Sequence, residues 1–550
     1  MDKLKPKLFS VMKDYTKEQL VKDIVAGIIV AIIALPLSIA LALASGVTPE
    51  KGIYTAIVAG FLISFLGGSR VQIAGPTAAF ATIVAGIVAE NGMEGLILAT
   101  LMAGILLVLM GVFRLGSLIK FIPYTITTGF TSGIAVTIFV GQIKDFLGLK
   151  IVTQEPLIET MEKLEAVFAF LPTLNWQALV VGMVSLAVLI IFPKINKKIP
   201  PSLIAVFVGI AMVKGLGFKA DTIGDLFEIS NALPKLSLPS FSFPMMRAVM
   251  GDAVTIAILA AIESLLSCVV ADSMVNSRHR SNMELVAQGV GNMGSALFGG
   301  IPATGAIART AANVKNGGRT PIAGMVHALT LLLILVILMP YAALIPMPTI
   351  AAILFVVAYN MSEWKKFLYL CKTAPKSDII VLVTTFFLTV IFDLVIAIEV
   401  GMILASLLFM KRMSEETQVQ GWKYIDDEND PDRLNLRKVP EKTRVYEITG
   451  PLFFGATDKI LRISLLEEDQ VLILRMRAVN AIDASAMNSL EELEQNCRKK
   501  GIRLILSHVN EQPLKIMKKS SFYSTLGEEN FCAHIDDALK RAEELLKENQ

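Results

Sequence analysis

Residues 298–314 read FGGIPATGAIARTAANV. The stretch lies among long apolar runs, yet it carries Gly299, Gly300, Pro302, Gly305 and the isolated charge of Arg309. Glycine and proline weaken helices, and a charge at the bilayer centre costs about 2.5–3.5 kcal/mol even on the lenient insertion scale. A helix packing seam rich in small residues is one explanation. The rest of the chain supplies another.

The chain has 550 residues, 54% of them hydrophobic, and a mean hydropathy of +0.62. A net charge of +3 argues against a nucleic-acid partner. From Lys411 onward there are 22 Lys+Arg and 25 Asp+Glu, so 47 of 99 charges fall in the last 140 residues. The division expected is a cytoplasmic N-terminal segment 1–22, a transmembrane domain 23–412, a charged linker 413–440 and a soluble domain 441–550. The four cysteines (Cys268, Cys371, Cys497, Cys532) form no CxxC pair, which fits a reducing compartment. With the four histidines scattered, no metal site is expected.

Apolar segments bounded by charges or Gly/Pro breaks fall near 24–45, 52–67, 76–90, 95–113, 121–141, 177–193, 200–216, 252–271, 284–298, 304–315, 322–340, 342–359, 378–393 and 394–410, fourteen in all. With the N-terminus inside, the inner connections carry 22 Lys+Arg and the outer ones 8. This bias predicts both termini in the cytoplasm of a multi-pass inner-membrane protein.

The opening stretch has a counterpart. Residues 61–80 read FLISFLGGSRVQIAGPTAAF and residues 292–311 read NMGSALFGGIPATGAIARTA. Each pairs an apolar segment ending in Gly-Gly with a short stretch of proline and small residues, then an apolar helix too short to span. The two modules begin at spans 1 and 8, so the halves (about 23–216 and 250–410) are seven-span repeats of opposite orientation. Broken helices at matching places in inverted repeats point to a transporter's substrate site. Half-helix N-termini at the midplane offer partial positive charge and free N–H groups, hence an anion site.

At this point the chain resembles a known family. The run from Pro49 to Phe80, PEKGIYTAIVAGFLISFLGGSRVQIAGPTAAF, resembles the signature of the sulfate permease (SulP) family, bacterial relatives of the animal anion exchangers that include pendrin and prestin. GGIPATGAIARTAANVKNGGRT is similar to that family's tenth-span region. The resemblance implies a polytopic α-helical protein of 14 segments with core and gate domains, similar to uracil permease, and an elevator-like movement of the core. It also implies a substrate site between the third and tenth spans.

Thr77, Ala78 and Ala79 lie at the first half-helix and Ala306, Ile307 and Ala308 at the second, where small residues let an anion reach the backbone N–H groups. Arg309 adds a full positive charge; the alternatives are that it snorkels or pairs with a carboxylate. By the resemblance, Pro36, Leu37 and Leu41 of span 1 face the same cavity. Glu263 is a mid-span acid able to carry a proton, with Ser267 one turn on as a second oxygen for Na⁺. The resemblance gives an acid at this place a role in cation coupling; pairing with Arg309 is the structural alternative. Glu399 is expected to be a buried hydrogen-bonding acid and His327 a packed polar residue.

In the tail, TRVYEITG, VLILRMRAV and IRLILSHV have strand patterns, and ASAMNSLEELEQNCRKKG has a helical one. The tail is similar to an α/β STAS domain, the module named for sulfate transporters and anti-sigma-factor antagonists. Its AIDASAM run places Ser485 where the antagonists are phosphorylated, with Ala486 in place of the usual glycine. Capping of a helix by Asp483 or Ser485 is the plainer reading. Expected partners are a small anion, the bilayer, a second copy in a homodimer and a protein docking on the tail. No cofactor is expected beyond a coupling H⁺ or Na⁺. No catalytic constellation appears, so an enzyme is not expected. A membrane-anchored signalling scaffold and an uncoupled anion channel or exchanger are the competing classes.

Overall fold

The structure is a computed structural model that describes residues 4–117, 123–152, 157, 159–196, 199–239, 242–392, 394–421, 439–466 and 468–548. The chain divides into two units, Met1–Met402 and Ile403–Gln550. Most of the expected charged linker, 422–438, lies outside the described residues.

Unit 1 is helical. A short α1 (Leu8–Val11) precedes α2 (Lys17–Ala44), whose start is capped by Thr16 Oγ1 accepting from the Gln19 amide at 3.2 Å. Then come α3 (Pro49–Leu66), the two-residue strand β1 (Ala74–Gly75), α4 (Ala81–Val112), α5 (Tyr124–Leu147), α6 (Thr160–Ala169), α7 (Trp176–Ile195) and α8 (Pro201–Ile210). After the short α9 (Ile223–Leu226) and α10 (Phe243–Ala248), the pattern recurs. It runs α11 (Met250–Val275), α12 (Ser281–Leu297), β2 (Thr304–Gly305), α13 (Ile307–Lys315), α14 (Ile322–Ala342), α15 (Met347–Ser362), α16 (Trp364–Thr373), α17 (Lys376–Ile391) and α18 (Leu394–Glu416). Each helix–Gly-Gly–strand–helix module of the sequence is therefore present twice.

The described residues of the fourteen expected segments lie mainly on helices. Two of them, 76–90 and 95–113, are halves of α4, broken at Gly92, whose φ of 65° and ψ of −171° only glycine adopts easily. Among the described residues seven helices are long and apolar enough to cross a membrane on length and composition: α2, α3, α4 with the turn before it, α5, α7, α11 and α14. The amphipathic α16 was not among the expected elements; it is short, polar and lies at the surface.

Packing sorts unit 1 into two sets. α2, α3, α4, α11, α12, α13 and α14 pack on one another, and α5, α7, α8, α15 and α17 form a second set. α4 and α12 approach backbone to backbone: a Cβ on Gly104 would meet the Gly289 carbonyl at 2.7 Å, and one on Gly289 the Gly104 carbonyl at 2.5 Å. Small residues make such seams because lipid gives helices no hydrophobic reason to associate, leaving close van der Waals contact.

Unit 2 carries a five-stranded sheet in the order β3 (Gln418–Gly421), β4 (Thr443–Thr449), β5 (Val471–Ala478), β6 (Arg503–Ser507), β7 (Phe531–Cys532). The β3–β4 pair is antiparallel and the rest are parallel. Helices α19 (Thr457–Leu461), α20 (Ala484–Lys499), α21 (Glu511–Lys519), α22 (Phe522–Leu526) and α23 (Ile535–Glu548) cover it. Two apolar clusters, one containing Leu474 and Leu490 and the other Ile473 and Leu539, place a core on each face. That explains why the first half of β5, Val471–Leu474, reads as a continuous apolar run rather than an alternating one. Burial and the Glu494 charge push the Cys497 thiol up to about 12, so it stays protonated and unreactive.

Candidate functional site

The site is assembled by the two crossovers that follow α3 and α12. In the first, Gly67 and Gly68 carry the chain out of α3 in an extended path. The amides of Gly68 and Ser69 donate to Glu284 Oε2 at 2.8 and 3.1 Å, and the side-chain amides of Gln72 and Gln288 donate to Oε1 at 2.7 and 3.0 Å. Glu284 has no exposed surface. Irregular backbone inside a membrane must be satisfied by protein, and this carboxylate from α12 does so for the first break.

The second crossover is held by neutral groups. The Ile301 amide donates to Thr55 Oγ1 at 2.7 Å, and Ser295 Oγ donates to the Ile301 carbonyl at 2.7 Å. Asn292 accepts from the Ala303 amide at 2.8 Å and donates to its carbonyl at 2.9 Å. Thr55 lies on α3, so each break is anchored in part by the opposite repeat.

The two extended stretches then pair with each other. β1 and β2 run antiparallel, with Ala74 opposite Gly305 and Gly75 opposite Thr304. The Ala306 amide donates to the Ile73 carbonyl at 2.8 Å. Side chains lock the junction: the Ile73 amide donates to Thr310 Oγ1 at 3.0 Å, and the Gly305 amide to Ser264 Oγ at 3.1 Å. This pairing brings α13 to the segment just before the turn Ala78–Phe80 that opens α4: Arg309 of α13 donates to the Pro76 carbonyl. The first amides of a helix have no intrahelical acceptor. Ala78, Ala79, Ile307 and Ala308 find none elsewhere among the described residues.

Arg309 lies at this junction, only 4% exposed. Its Nη2 donates to the Pro76 carbonyl at 3.2 Å and to Ser38 Oγ at 3.5 Å, while Nη1 is buried without a partner. Among the described residues Arg309 makes no ion pair, so it neither snorkels nor pairs with a carboxylate. Thr77 Oγ1 donates to Glu263 Oε2 at 3.0 Å, which ties the acid to the tip of the first half-helix. Ala78 and Ala79 are buried, Thr77, Ala306 and Glu263 half-buried, and Ile307 and Ala308 exposed. Pro36 lies within α2, Leu37 is half-buried beside Ser38, and Leu41 is buried. The arrangement offers an anion two helix ends and a guanidinium with an unused N–H.

Other expected residues are placed differently. Ser267 donates to Thr310 Oγ1 at 3.4 Å and makes no bond to Glu263 among the described residues. Glu399 corrects the expectation of a buried acid: its side chain is exposed on α18, because uniformly apolar neighbours do not tell which face of a helix points inward. His327 is fully buried, and neither ring nitrogen has a hydrogen-bond partner. In unit 2, Asp483 caps α20 by accepting from the Ala486 amide at 2.8 Å, and Ser485 is exposed in its first turn. Among the described residues no group of three or more His, Cys, Asp or Glu side chains is placed to hold a metal ion.

The sequence reading missed Ser38, Thr55, Asn292 and Glu284. The intramembrane-acid rule that selected Glu263 applies equally to Glu284, which opens the apolar run 284–298. For the neutral three, composition carries no signal.

Residues 20–385 match the sulfate permease family model, and residues 436–538 match that of the STAS domain. The chain is 40% identical over 533 residues to the Bacillus subtilis protein YvdB, provisionally named a sulfate transporter, covering 96% of this chain and 98% of that one. It is 29% identical over 540 residues to the bicarbonate transporter BicA of Picosynechococcus, covering 94% of each. Among solved structures it is similar to SLC26A9, with a TM-score of 0.86 at 18% identity, covering 99% of this chain and 93% of that one. The transmembrane domain of a cyanobacterial BicA aligns with a TM-score of 0.62 at 28% identity, covering 71% of this chain and 98% of that one.

Proposed function

The chain belongs to the sulfate permease family, and from that premise we propose that it is a secondary active transporter of a small anion of the sulfate, bicarbonate or dicarboxylate class. The observation that supports this reading is the β1–β2 pairing, which joins the two stretches that lead into the half-helices, with Arg309 reaching the Pro76 carbonyl across it. Partial positive charge at both helix ends and a guanidinium with an unpaired N–H suit an anion and no other class of ligand. Thr77, Ala78, Ala79, Ala306, Ile307, Ala308 and Arg309 form the proposed site, with Pro36, Leu37 and Leu41 on its α2 side.

Coupling is assigned to Glu263. An acid hydrogen-bonded to Thr77, at the tip that contacts the anion, can exchange a proton or hold Na⁺ in step with anion occupancy. Ser267 enters only through Thr310. The helix set that carries both tips then moves against the second set in an elevator-like step. On this reading the fourteen segments span the inner membrane, both termini and the STAS domain face the cytoplasm, the protein acts as a homodimer, and it is not an enzyme. The STAS domain serves dimer contacts or protein docking. Ser485 as a phosphosite remains the weaker use of the exposed α20 start.

The test is uptake of labelled sulfate, bicarbonate and dicarboxylates into proteoliposomes under imposed Na⁺ and pH gradients. The reading requires concentrative uptake of at least one anion under at least one gradient. No uptake under any gradient favours a membrane-anchored scaffold, and uptake indifferent to every cation gradient favours a channel or exchanger.

A further inference from the structure

The segment ahead of α2 is tied along one end of unit 1. The Lys7 amide donates to the Gly67 carbonyl at 2.8 Å, just past the end of α3. Arg280, immediately before α12, donates from Nη1 to the Lys5 and Pro6 carbonyls at 2.8 and 3.3 Å and from Nη2 to Ser10 Oγ at 2.9 Å. Leu8 is buried, and the Phe9 ring meets Phe65 of α3 edge to face with centroids 6.2 Å apart. Further along, Gln19 donates to the Gly317 carbonyl at 3.1 Å and to Asp23 at 2.9 Å.

The rest of the segment's surface is open. Leu4, Phe9 and Met12 are 47%, 49% and 42% exposed, and Lys5, Lys13 and Lys17 are exposed beside them. These three lysines join no ion pair among the described residues. Residues 1–22 carry six lysines against three acids, and one of those acids, Glu18, is held by Lys22 at 2.6 Å. Exposed aromatic and aliphatic side chains mixed with lysines are what a segment lying in a bilayer interface presents.

Position says the same. The exposed apolar surface continues onto two helices long and apolar enough to cross a membrane. Along α2 the exposed Leu20, Val21, Ile24, Val25 and Ile28 recur at helical spacing and form one stripe. On α3 the exposed Phe61 stacks on Phe65, the ring that Phe9 abuts, with centroids 6.3 Å apart. α3 ends at Leu66 and α2 begins at Lys17, so the segment sits where one span leaves the hydrocarbon and another enters it.

We propose that residues 4–17 form an interfacial anchor that docks on the bilayer around the protein and is held there by anionic phospholipid headgroups. Phe9 and Met12 enter the boundary between headgroups and acyl chains, and Lys5, Lys13 and Lys17 meet the phosphates. Through the Gly67 and Arg280 bonds, lipid charge then bears on the first crossover and on the start of α12. The inference rests on unit 1 spanning a membrane and not on the transport reading, so an uptake result leaves it standing or fallen on its own test.

The experiment is amide hydrogen exchange of the purified full-length protein in nanodiscs of phosphatidylcholine alone and of phosphatidylcholine mixed with phosphatidylglycerol, read on peptides from residues 4–17. Exchange is expected to be slower in the mixed discs by about fivefold or more, the effect of one lysine at an anionic surface, and the difference to shrink at high salt. The triple variant Lys5→Gln, Lys13→Gln, Lys17→Gln breaks no side-chain hydrogen bond among the described residues and is expected to remove the difference between the two lipids. Met12→Ser is expected to speed exchange in both discs, while peptides of unit 2 exchange equally in both. Equal exchange of residues 4–17 in the two lipids overturns the proposal, as does a lipid difference that survives in the triple variant or is as large in unit 2. Protection that follows the number of protein copies per disc rather than the lipid also overturns it, because a second copy then covers this face.

Discussion

The first crossover is anchored through a buried carboxylate and the second through hydroxyls and an amide. Glu284 gathers four N–H donors around the first break, whereas Thr55, Ser295 and Asn292 satisfy the second with no formal charge. The tips are reversed. The first presents the neutral Thr77–Ala79, and the second presents Arg309. On the proposed reading, charge used for anchoring is thus kept apart from charge presented to a ligand. A break held by a cation would have competed with Arg309 for the anion.

Exchanging the anchors tests this division, and the expected stability losses fall in order. Glu284→Ala strands four buried donors and is expected to cost about 3–5 kcal/mol or to prevent folding, read as loss of monodisperse protein and of Tm. Thr55→Val strands chiefly the Ile301 amide, because Ser295 still serves the carbonyl; about 1–3 kcal/mol is expected in the same assay. If Thr55→Val proves as damaging as Glu284→Ala, the two anchors are not different in kind. Glu263→Gln keeps a hydrogen-bonding group beside Thr77 and is expected to leave Tm nearly unchanged while abolishing cation-driven uptake. Undiminished uptake across a pH and Na⁺ series would remove Glu263 from coupling. Smallest of all, Ser485→Ala is expected to shift Tm by less than about 0.5 kcal/mol equivalent, since Asp483 provides the cap of α20.

How much of this was legible follows from the range of each interaction. The Gly-Gly and proline punctuation is local, so both breaks and both tips could be read from the sequence, together with the repeat that pairs them. That Arg309 reaches Pro76 and Ser38 depends on β1 meeting β2 across some 230 residues, and no local pattern encodes it. Glu399 failed for the opposite reason. Every neighbour is apolar, and Ile396, Val400 and Ile403 are exposed on α18 with it, so hydropathy gave no inward face. In unit 2, β4, β5, β6 and α20 carry clear periodicity, whereas β7 is two residues long and is set by pairing with β6.

The central claim is that the paired half-helices and Arg309 bind the anion. Its most direct test is the equilibrium Kd of the purified protein for its transported anion, compared between wild type and Arg309→Ala. Arg309 forms no ion pair among the described residues, and its Nη2 holds only the Pro76 carbonyl at 3.2 Å and Ser38 at 3.5 Å, so the variant is expected to remain folded with a modest loss of Tm. The account predicts a Kd weaker by about tenfold or more, the loss of one charge-assisted hydrogen bond at a buried site. An unchanged Kd in a folded Arg309→Ala protein would contradict it.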